Sequence, residues 1–343
     1  MSGKDATSHR QANFELLRIL AMLGVVVSHV FNYGLQIYEG FSVDVSAPMG
    51  VAVWSLLELL KLAVLVSVDC YILISGYFLI DRHQLRLRGI GRVWLTTWSY
   101  AVAIFLLAAM LGVVPFTWGG LLTYATPVCS DIYWFVTSYL VLLLLAPLLS
   151  MATERLTQRQ YLWVLAVGFV VCFQPLLGQF LVDGHKILLF VFLFLMGGYI
   201  RKYGQKPCGD RKTVVTCYVA ILFMMYAYVL YKNLHLQNPR FQIYAMAYHG
   251  LVLPLSVAFF LWVKSLPIGP RPGHYVNAIA SLSFAVYVIH DHPIVHDILW
   301  SHVNILLSHA APWAIPLLCL LIGVAVFLAC ILIEKLRQWA MPW

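Results

Sequence analysis

The chain consists mainly of long apolar runs separated by short polar segments. A run of about 20 apolar residues can cross the hydrocarbon core of a membrane as a helix. Only 10% of the residues are charged and 62% are hydrophobic, whereas a soluble domain carries about 25% charged residues. The sequence predicts an all-α, polytopic integral membrane protein with one domain over residues 1–343. The runs predict ten membrane spans, at residues 14–34, 62–80, 93–113, 132–152, 161–182, 186–200, 213–231, 244–264, 276–299 and 312–333.

The segments outside these spans are short. Residues 1–12 predict a polar cytoplasmic N-terminus, and no small-residue cleavage site follows the first apolar run, so we expect that run to be retained. The segment 50–61 predicts a short interfacial helix ahead of the second span. Because the sequence ends just after the tenth predicted span, we expect no appended soluble domain.

Basic residues divide unevenly between the two sides of the predicted membrane domain. With a cytoplasmic N-terminus, all but four of the 22 lysines and arginines fall in cytoplasmic segments. Positive charge accumulates on that side of membrane proteins, so the sequence predicts that both termini are cytoplasmic. The net charge of +8 then reflects these loops and does not indicate a nucleic-acid partner. The four basic residues on the other side are Lys61, Lys186, Lys232 and Arg240.

Three further patterns limit the chemistry. The seven cysteines form no CxxC pair, which argues against a disulfide framework or a zinc ribbon. The histidine-rich segment 290–302 is interrupted by Pro293, which keeps its histidines from converging, so we expect no metal site. The segment MGGYIRK, at 196–202, predicts close helix packing by small residues.

Ionisable residues lie within the first apolar run. Glu15 precedes Arg18 by three residues, which is ion-pair spacing on a helix. His29 follows Arg18 by about 1,100° of helical rotation and about 16 Å, so all three residues share one face. Ionisable groups inside a membrane are costly and usually functional, and an imidazole suits general-base catalysis near neutral pH. The alternative is an interfacial anchor at Glu15 and Arg18 with a packing histidine at His29.

Four stretches carry a resemblance to a known family. The segment NFELLRILAMLGVVVSHVF (13–31) resembles the first-helix signature of membrane acyltransferase family 3, an acidic residue three before an arginine and a histidine eleven after it. CYILISGYFLI (70–80) resembles the end of its second helix, IYWFVTSYLVLLLLAPLL (132–149) its fourth helix, and SLSFAVYVIHDHPIV (281–295) its late helix with Tyr-x-x-His.

The resemblance implies roles for individual residues. His29 is expected to be the general base or a transient acyl carrier, while Glu15 and Arg18 orient the first helix or hold the donor. The expected donor is acetyl-coenzyme A, or another acyl-coenzyme A. The family's R-x-x-R pattern is missing after the second span, so the choice among the arginines there stays open, and they also suit a topology anchor. The expected donor-binding residues are Arg82, Arg86, Arg88, Arg92 and Ser75.

The expected acceptor is a hydroxyl of a surface polysaccharide or lipid-linked glycan. Asp69 lies in the second span, where a carboxylate needs a partner, and Arg18 or His29 is the expected one. Asp69 either belongs to the substrate site or only forms a structural ion pair. Outward residues such as Tyr124, His292 and Asp297 also suit a sugar, or form an interfacial belt. The predicted substrate-binding residues are Asp69, Tyr133, Trp134 and His290.

The sequence as a whole predicts an O-acyltransferase of the bacterial inner membrane, most simply an O-acetyltransferase. Its expected partners are the acyl donor, the glycan acceptor and membrane lipids. Two alternatives remain open: a proton-coupled transporter or exporter, which also needs buried ionisable residues, and a lipid-glycan scaffold without chemistry. No inverted repeat favours the transporter.

Overall fold

The apolar runs form helices in the computed structural model, which describes residues 11–173, 185–204, 210–244 and 250–340. The first helix, α1, continues into a π-helical turn, Val30–Gly34, and single 3-10 turns occupy Ile37–Glu39 and Pro312–Ala314. The helices are α1 (Ala12–His29), α2 (Pro48–Val64), α3 (Ser67–Leu79), α4 (Leu87–Met110), α5 (Trp118–Ala125), α6 (Trp134–Glu154), α7 (Gln158–Phe173), α8 (His185–Tyr203), α9 (Arg211–His235), α10 (Val252–Lys264), α11 (Pro270–Ala280), α12 (Ser283–His290), α13 (Pro293–Ser308) and α14 (Ile315–Ala340).

Several helical segments are long and apolar enough to cross a membrane. The described residues contain six, and a seventh if Pro270–His290 and Pro293–Ser308, bent by 83°, form one span. The predicted count of ten spans and the cytoplasmic termini stay predictions. Parts of the predicted spans 161–182 and 244–264 lie outside the described residues. The six candidates are Ala12–Glu39, Pro48–Leu79, Leu87–Met110, Trp134–Glu154, Arg211–His235 and Pro312–Ala340.

The predicted interfacial helix and second span differ from the structure at their boundary. Helix α2 continues to Val64, and α3 begins at Ser67, whereas the sequence placed the change at residue 62. The apolar sequence is continuous across this break and contains no glycine or proline there, so no sequence pattern predicted it. The predicted ninth span is divided into α11, α12 and α13, with the sharp bend directly before Pro293.

Helix α1 lies at the centre of the helical assembly. It packs against α3, α10, α11, α12 and α14, so a single helix contacts most of the core on several of its sides. Burial on this scale explains why Glu15 is 6% exposed although it lies only four residues into the helix.

Glycines let α3 and α8 approach each other closely. A Cβ atom added at Gly76 would lie 2.0 Å from the carbonyl oxygen of Phe194, and one at Gly197 would lie 2.3 Å from that of Leu73. Only glycine avoids such overlap with backbone. The close packing predicted for MGGYIRK is confirmed, and the glycine of the SGY motif serves the same contact.

The sequence did not predict the two short strands. Strands β1 (Ser42–Asp44) and β2 (Arg240–Gln242) pair antiparallel, with Val43 opposite Phe241. Three residues are too few for a visible alternation of apolar and polar side chains. The indole of Trp54 in α2 donates a hydrogen bond of 3.0 Å to the carbonyl of Gln242, which ties the ribbon to the helices.

Candidate active site

His29 is the last residue of α1 and lies where the α-helix gives way to the π-helical turn. Such local π-helical turns are frequent at functional sites. Its Nδ1 atom lies 3.1 Å from Nε2 of His290 and 3.6 Å from Oδ1 of Asp291, at the end of α12. The structure therefore brings together two histidines that the sequence proposed separately, one as base and one as substrate contact.

Hydrogen-bond partners determine which ring nitrogens carry protons. Nδ1 of His290 lies 2.5 Å from the carbonyl oxygen of Val286. A carbonyl only accepts hydrogen bonds, so Nδ1 of His290 carries the proton and Nε2 of the neutral ring is an acceptor. Nδ1–H of His29 then donates to His290, and the unprotonated Nε2 of His29 is the nitrogen that can take a proton.

Asp291 brings a carboxyl group beside this pair. Its Oδ1 atom lies 3.6 Å from the same Nδ1 atom of His29, which is ion-pair distance, so a carboxylate there stabilises the imidazolium form when Nε2 gains a proton. The sequence analysis assigned no role to Asp291. Its position directly after the family-matched His290 was the available signal.

Glu15 and Arg18 form the ion pair that their spacing predicted. Nη1 of Arg18 donates to Oε1 of Glu15 at 2.7 Å. The Tyr71 hydroxyl donates to the backbone carbonyl of Arg18 at 3.1 Å, which fixes α1 against α3. The pair lies at the opposite end of α1 from His29, so α1 carries two separate polar regions.

Ser75 belongs to a hydroxyl cluster near the Arg18 end. It donates to the carbonyl of Tyr71 at 3.0 Å, and its oxygen lies 3.1 Å from the hydroxyl of Tyr139. The four arginines proposed with it, Arg82, Arg86, Arg88 and Arg92, lie in the exposed loop before α4 and in its first two turns. Their exposure suits both donor binding and a topology anchor, so their role stays a prediction.

The expected partner of Asp69 was wrong. The Ser256 hydroxyl in α10 donates to Oδ2 of Asp69 at 2.8 Å, within the buried contact between α3 and α10. Asp69 faces α10, so its side chain bonds neither Arg18 nor His29. Its contact with a substrate stays a prediction.

Tyr133 and Trp134, the other proposed substrate contacts, lie at the start of α6. The Tyr133 hydroxyl donates to the carbonyl of Val288 at 3.0 Å and is buried, so it supports the α12 helix. Trp134 packs against Phe135 and Phe190. Both keep their substrate role only as a prediction.

The ring of His292 has no nitrogen left for a sugar. Its Nδ1 atom accepts from the backbone N–H of Ile294, and its Nε2 atom lies 3.2 Å from the carbonyl oxygen of Ala101. These contacts cap α13 and hold it against α4. The ring also stacks on Tyr124 at 4.9 Å, and the residue is fully buried. Its expected role in binding sugar hydroxyls stays a prediction.

Lys61 is a polar residue whose burial the sequence analysis did not predict. We counted it among the charges of an outer segment, but the structure leaves it 1% exposed. Its ammonium donates to Oδ1 of Asn32 at 2.5 Å and to Oγ of Ser28 at 3.2 Å. These two hydrogen bonds hold α2 against the chain just before and just after His29. Glu58, one turn earlier, is also buried and accepts from the backbone N–H of Tyr244. The ELLK spacing within an apolar helix was the available signal.

Within residues 11–173, 185–204, 210–244 and 250–340, no group of three or more His, Cys, Asp or Glu side chains could hold a metal ion. The candidate site is therefore built from imidazole and carboxylate groups in a helical membrane domain.

These features define a class of protein, a multi-pass helical membrane protein in which a largely buried histidine contacts a second histidine and lies beside a carboxyl group. The sequence profile described as "Acyltransferase domain", that of membrane acyltransferase family 3, matches residues 11–335. The chain belongs to this family and is a membrane acyltransferase. Neither a curated protein nor a solved structure matches the chain.

Proposed function

We propose that the protein transfers an acetyl group from cytoplasmic acetyl-coenzyme A to a hydroxyl of a surface polysaccharide or lipid-linked glycan, in a bacterial inner membrane. The observation that carries the proposal is the contact of His29 Nδ1 with His290 and Asp291. His290 accepts from Nδ1–H and Asp291 lies at ion-pair distance from it, which leaves Nε2 of His29 as the basic nitrogen of the site.

The reaction follows from that nitrogen. Nε2 of His29 takes the proton of the acceptor hydroxyl while the oxygen attacks the thioester carbonyl carbon. The carbon–sulfur bond breaks, and the coenzyme A thiolate receives the proton from the imidazolium, which Asp291 stabilises meanwhile. The products are an O-acetyl ester and coenzyme A. A transient acyl group on the same nitrogen gives the same products in two steps.

Donor binding at the other end of α1 fits the distances. Guanidinium groups match phosphate oxygens bidentately, and Arg86, Arg88 and Arg92 present three of them at the start of α4. From Arg18 to His29 is about 16 Å along the helix, comparable to a pantetheine arm. We therefore assign the phosphates of coenzyme A to these arginines and its pantetheine arm to the path from Arg18 to His29.

The acceptor is assigned to the opposite side of the membrane. His29 lies about 21 Å along α1 from Glu15, in a hydrocarbon core about 30 Å thick. With Glu15 near the cytoplasmic interface, the imidazole lies in the outer half of the core. A glycan in the outer leaflet or beyond it therefore reaches His29 more directly than a cytoplasmic one.

Purified protein in nanodiscs, supplied with acetyl-labelled acetyl-coenzyme A, tests the reaction. We expect release of coenzyme A and recovery of label as an ester on the host's lipid-linked glycan. Transport or scaffolding without acyl transfer predicts neither. NMR of the surface polysaccharide in a strain lacking the gene should show lost O-acetyl groups. If glycan flipping is blocked and acetylated lipid-linked glycan still accumulates inside, the outward acceptor position is wrong.

A further inference from the structure

Aromatic rings lie beside His29, and one of them, that of Trp300, also contacts the ring of His290 at 6.3 Å. Tyr33, one turn after His29, contacts its ring edge-to-face at 5.2 Å, and Trp300 does so at 6.2 Å. His296, one turn before Trp300 in α13, meets Tyr33 at 4.4 Å. We call Tyr33, His296 and Trp300 the aromatic cluster.

One end of the aromatic cluster is exposed at the protein surface, and the other end is buried. Tyr33 is 36% exposed, and the side chain of Asp297 beside His296 is 84% exposed, whereas Trp300 is 3% exposed. His29 lies between these extremes, because its side chain keeps a small exposed fraction. The cluster therefore leads from the surface towards His29.

Two polar atoms of the cluster lack an internal role. The indole N–H of Trp300 is buried and has no hydrogen-bond acceptor among the described residues. A buried donor without an acceptor is destabilising, so it favours a ligand oxygen. Nδ1 of His296 lies 3.3 Å from Oδ1 of Asp297; the carboxylate accepts, which leaves Nε2 of His296 to accept from a hydroxyl.

We propose that the aromatic cluster is the acceptor subsite and binds one sugar ring, the Trp300 N–H donating to a ring oxygen or hydroxyl and His296 accepting from another hydroxyl. Aromatic faces cover the apolar C–H surface of a pyranose, while the polar edges of Trp and His bond its oxygens. This arrangement sets a sugar hydroxyl against Nε2 of His29. The proposal rests on the proposed function for the meaning of the bound hydroxyl.

The test measures sugar binding separately from acyl transfer. The full-length protein in nanodiscs is titrated with methyl β-glucopyranoside, and binding is followed by saturation-transfer NMR. The variants are Trp300→Phe, which removes the N–H, and His296→Ala, at a partly exposed position that tolerates truncation. The matched control is Trp339→Phe, at an exposed tryptophan near the end of α14. Thermal unfolding of each preparation reports its folding.

We expect the wild type and the control to bind the glycoside equally, and each cluster variant to bind it about five- to tenfold more weakly, the loss of one hydrogen bond. The affinity for acetyl-coenzyme A should not change. Equal glycoside affinity in all four proteins, or no glycoside binding by the wild type, would overturn the subsite. If Trp300→Phe does not fold, His296→Ala decides.

Coenzyme A release by the same preparations separates the two proposals. If the wild-type protein binds the glycoside through Trp300 and His296 but releases no coenzyme A, the subsite proposal stands and the proposed function is wrong. If coenzyme A release depends on His29 but neither cluster variant changes glycoside binding, the proposed function stands and the subsite proposal is wrong.

Discussion

His29 Nδ1 and His290 Nε2 lie 3.1 Å apart although 261 residues separate them in the chain. One histidine ends α1 and the other ends α12, so the contact exists only where these two helices pack together. The Val286 carbonyl fixes the His290 tautomer, and His290 in turn fixes that of His29. The tautomer of His29, with its proton on Nδ1 and Nε2 free to accept one, thus depends on a residue at the end of α12 as well as on its own ring.

Replacing His290 tests this tautomer control. His290→Ala removes the acceptor for Nδ1–H, so we expect kcat to fall about ten- to a hundredfold, a positioning effect smaller than loss of the base itself. His290→Gln places an amide oxygen in reach of His29 and should recover part of the rate. The KM for acetyl-coenzyme A should stay constant in both variants. Steady-state kinetics in which Gln and Ala behave alike would argue against the assigned role.

Asp291→Asn tests the charge that faces His29. The amide keeps the shape of the carboxylate but cannot neutralise the imidazolium, so kcat should fall about tenfold or more, each tenfold being 1.36 kcal/mol. The matched control is Asp131→Asn, an exposed aspartate with φ of 49°, a conformation that asparagine tolerates. Coenzyme A release that is equal in the two variants would remove Asp291 from the mechanism.

Gly76→Ala tests the close contact of α3 with α8. The new Cβ would meet the Phe194 carbonyl oxygen at 2.0 Å, and the packed backbone must move to relieve it. We expect a loss of stability of about 1–3 kcal/mol, as for other overpacked sites, seen as a lower thermal midpoint in nanodiscs. The control is Gly91→Ala in α4, where nothing lies within 4 Å and helix propensity predicts a small gain. A lower midpoint for Gly91→Ala than for Gly76→Ala would contradict the packing argument.

The arginines before and in α4 distinguish donor binding from membrane topology. Arg86→Ala, Arg88→Ala and Arg92→Ala are expected to weaken coenzyme A binding at one position or more. Binding should also weaken with added salt, because exposed phosphate contacts are screened. Arg159→Ala, an exposed arginine of α7, is the matched control. Calorimetry that gives the same affinity for all four variants would reduce the cluster to an anchor.

Local features of the site could be predicted from the sequence. The Glu15–Arg18 pair depends only on helical spacing, and the structure has it at 2.7 Å. The close packing of MGGYIRK depends on residue size, which is also local. The predicted helices follow the apolar runs, except where a break such as that before Ser67 has no glycine or proline to mark it.

Contacts between distant segments could not be predicted in this way. Asp69 bonds Ser256, 187 residues away, because the rotation of α3 is set by its packing on α10. The burial of Lys61 likewise depends on how α2 lies against α1, which periodicity does not report. The contact of His29 with His290 and Asp291 also joins distant segments, so the sequence could propose His29 as a base but could not pair it with these two neighbours.

The most direct test of the account is the rate of His29→Ala. The full-length variant and the wild type are reconstituted in nanodiscs, and transfer of labelled acetyl from acetyl-coenzyme A to the host glycan is measured, with thermal unfolding as the folding control. The account predicts a rate loss of about 10²- to 10⁴-fold in protein that unfolds at the wild-type temperature. A folded His29→Ala protein that retains more than about a tenth of the wild-type rate would contradict it.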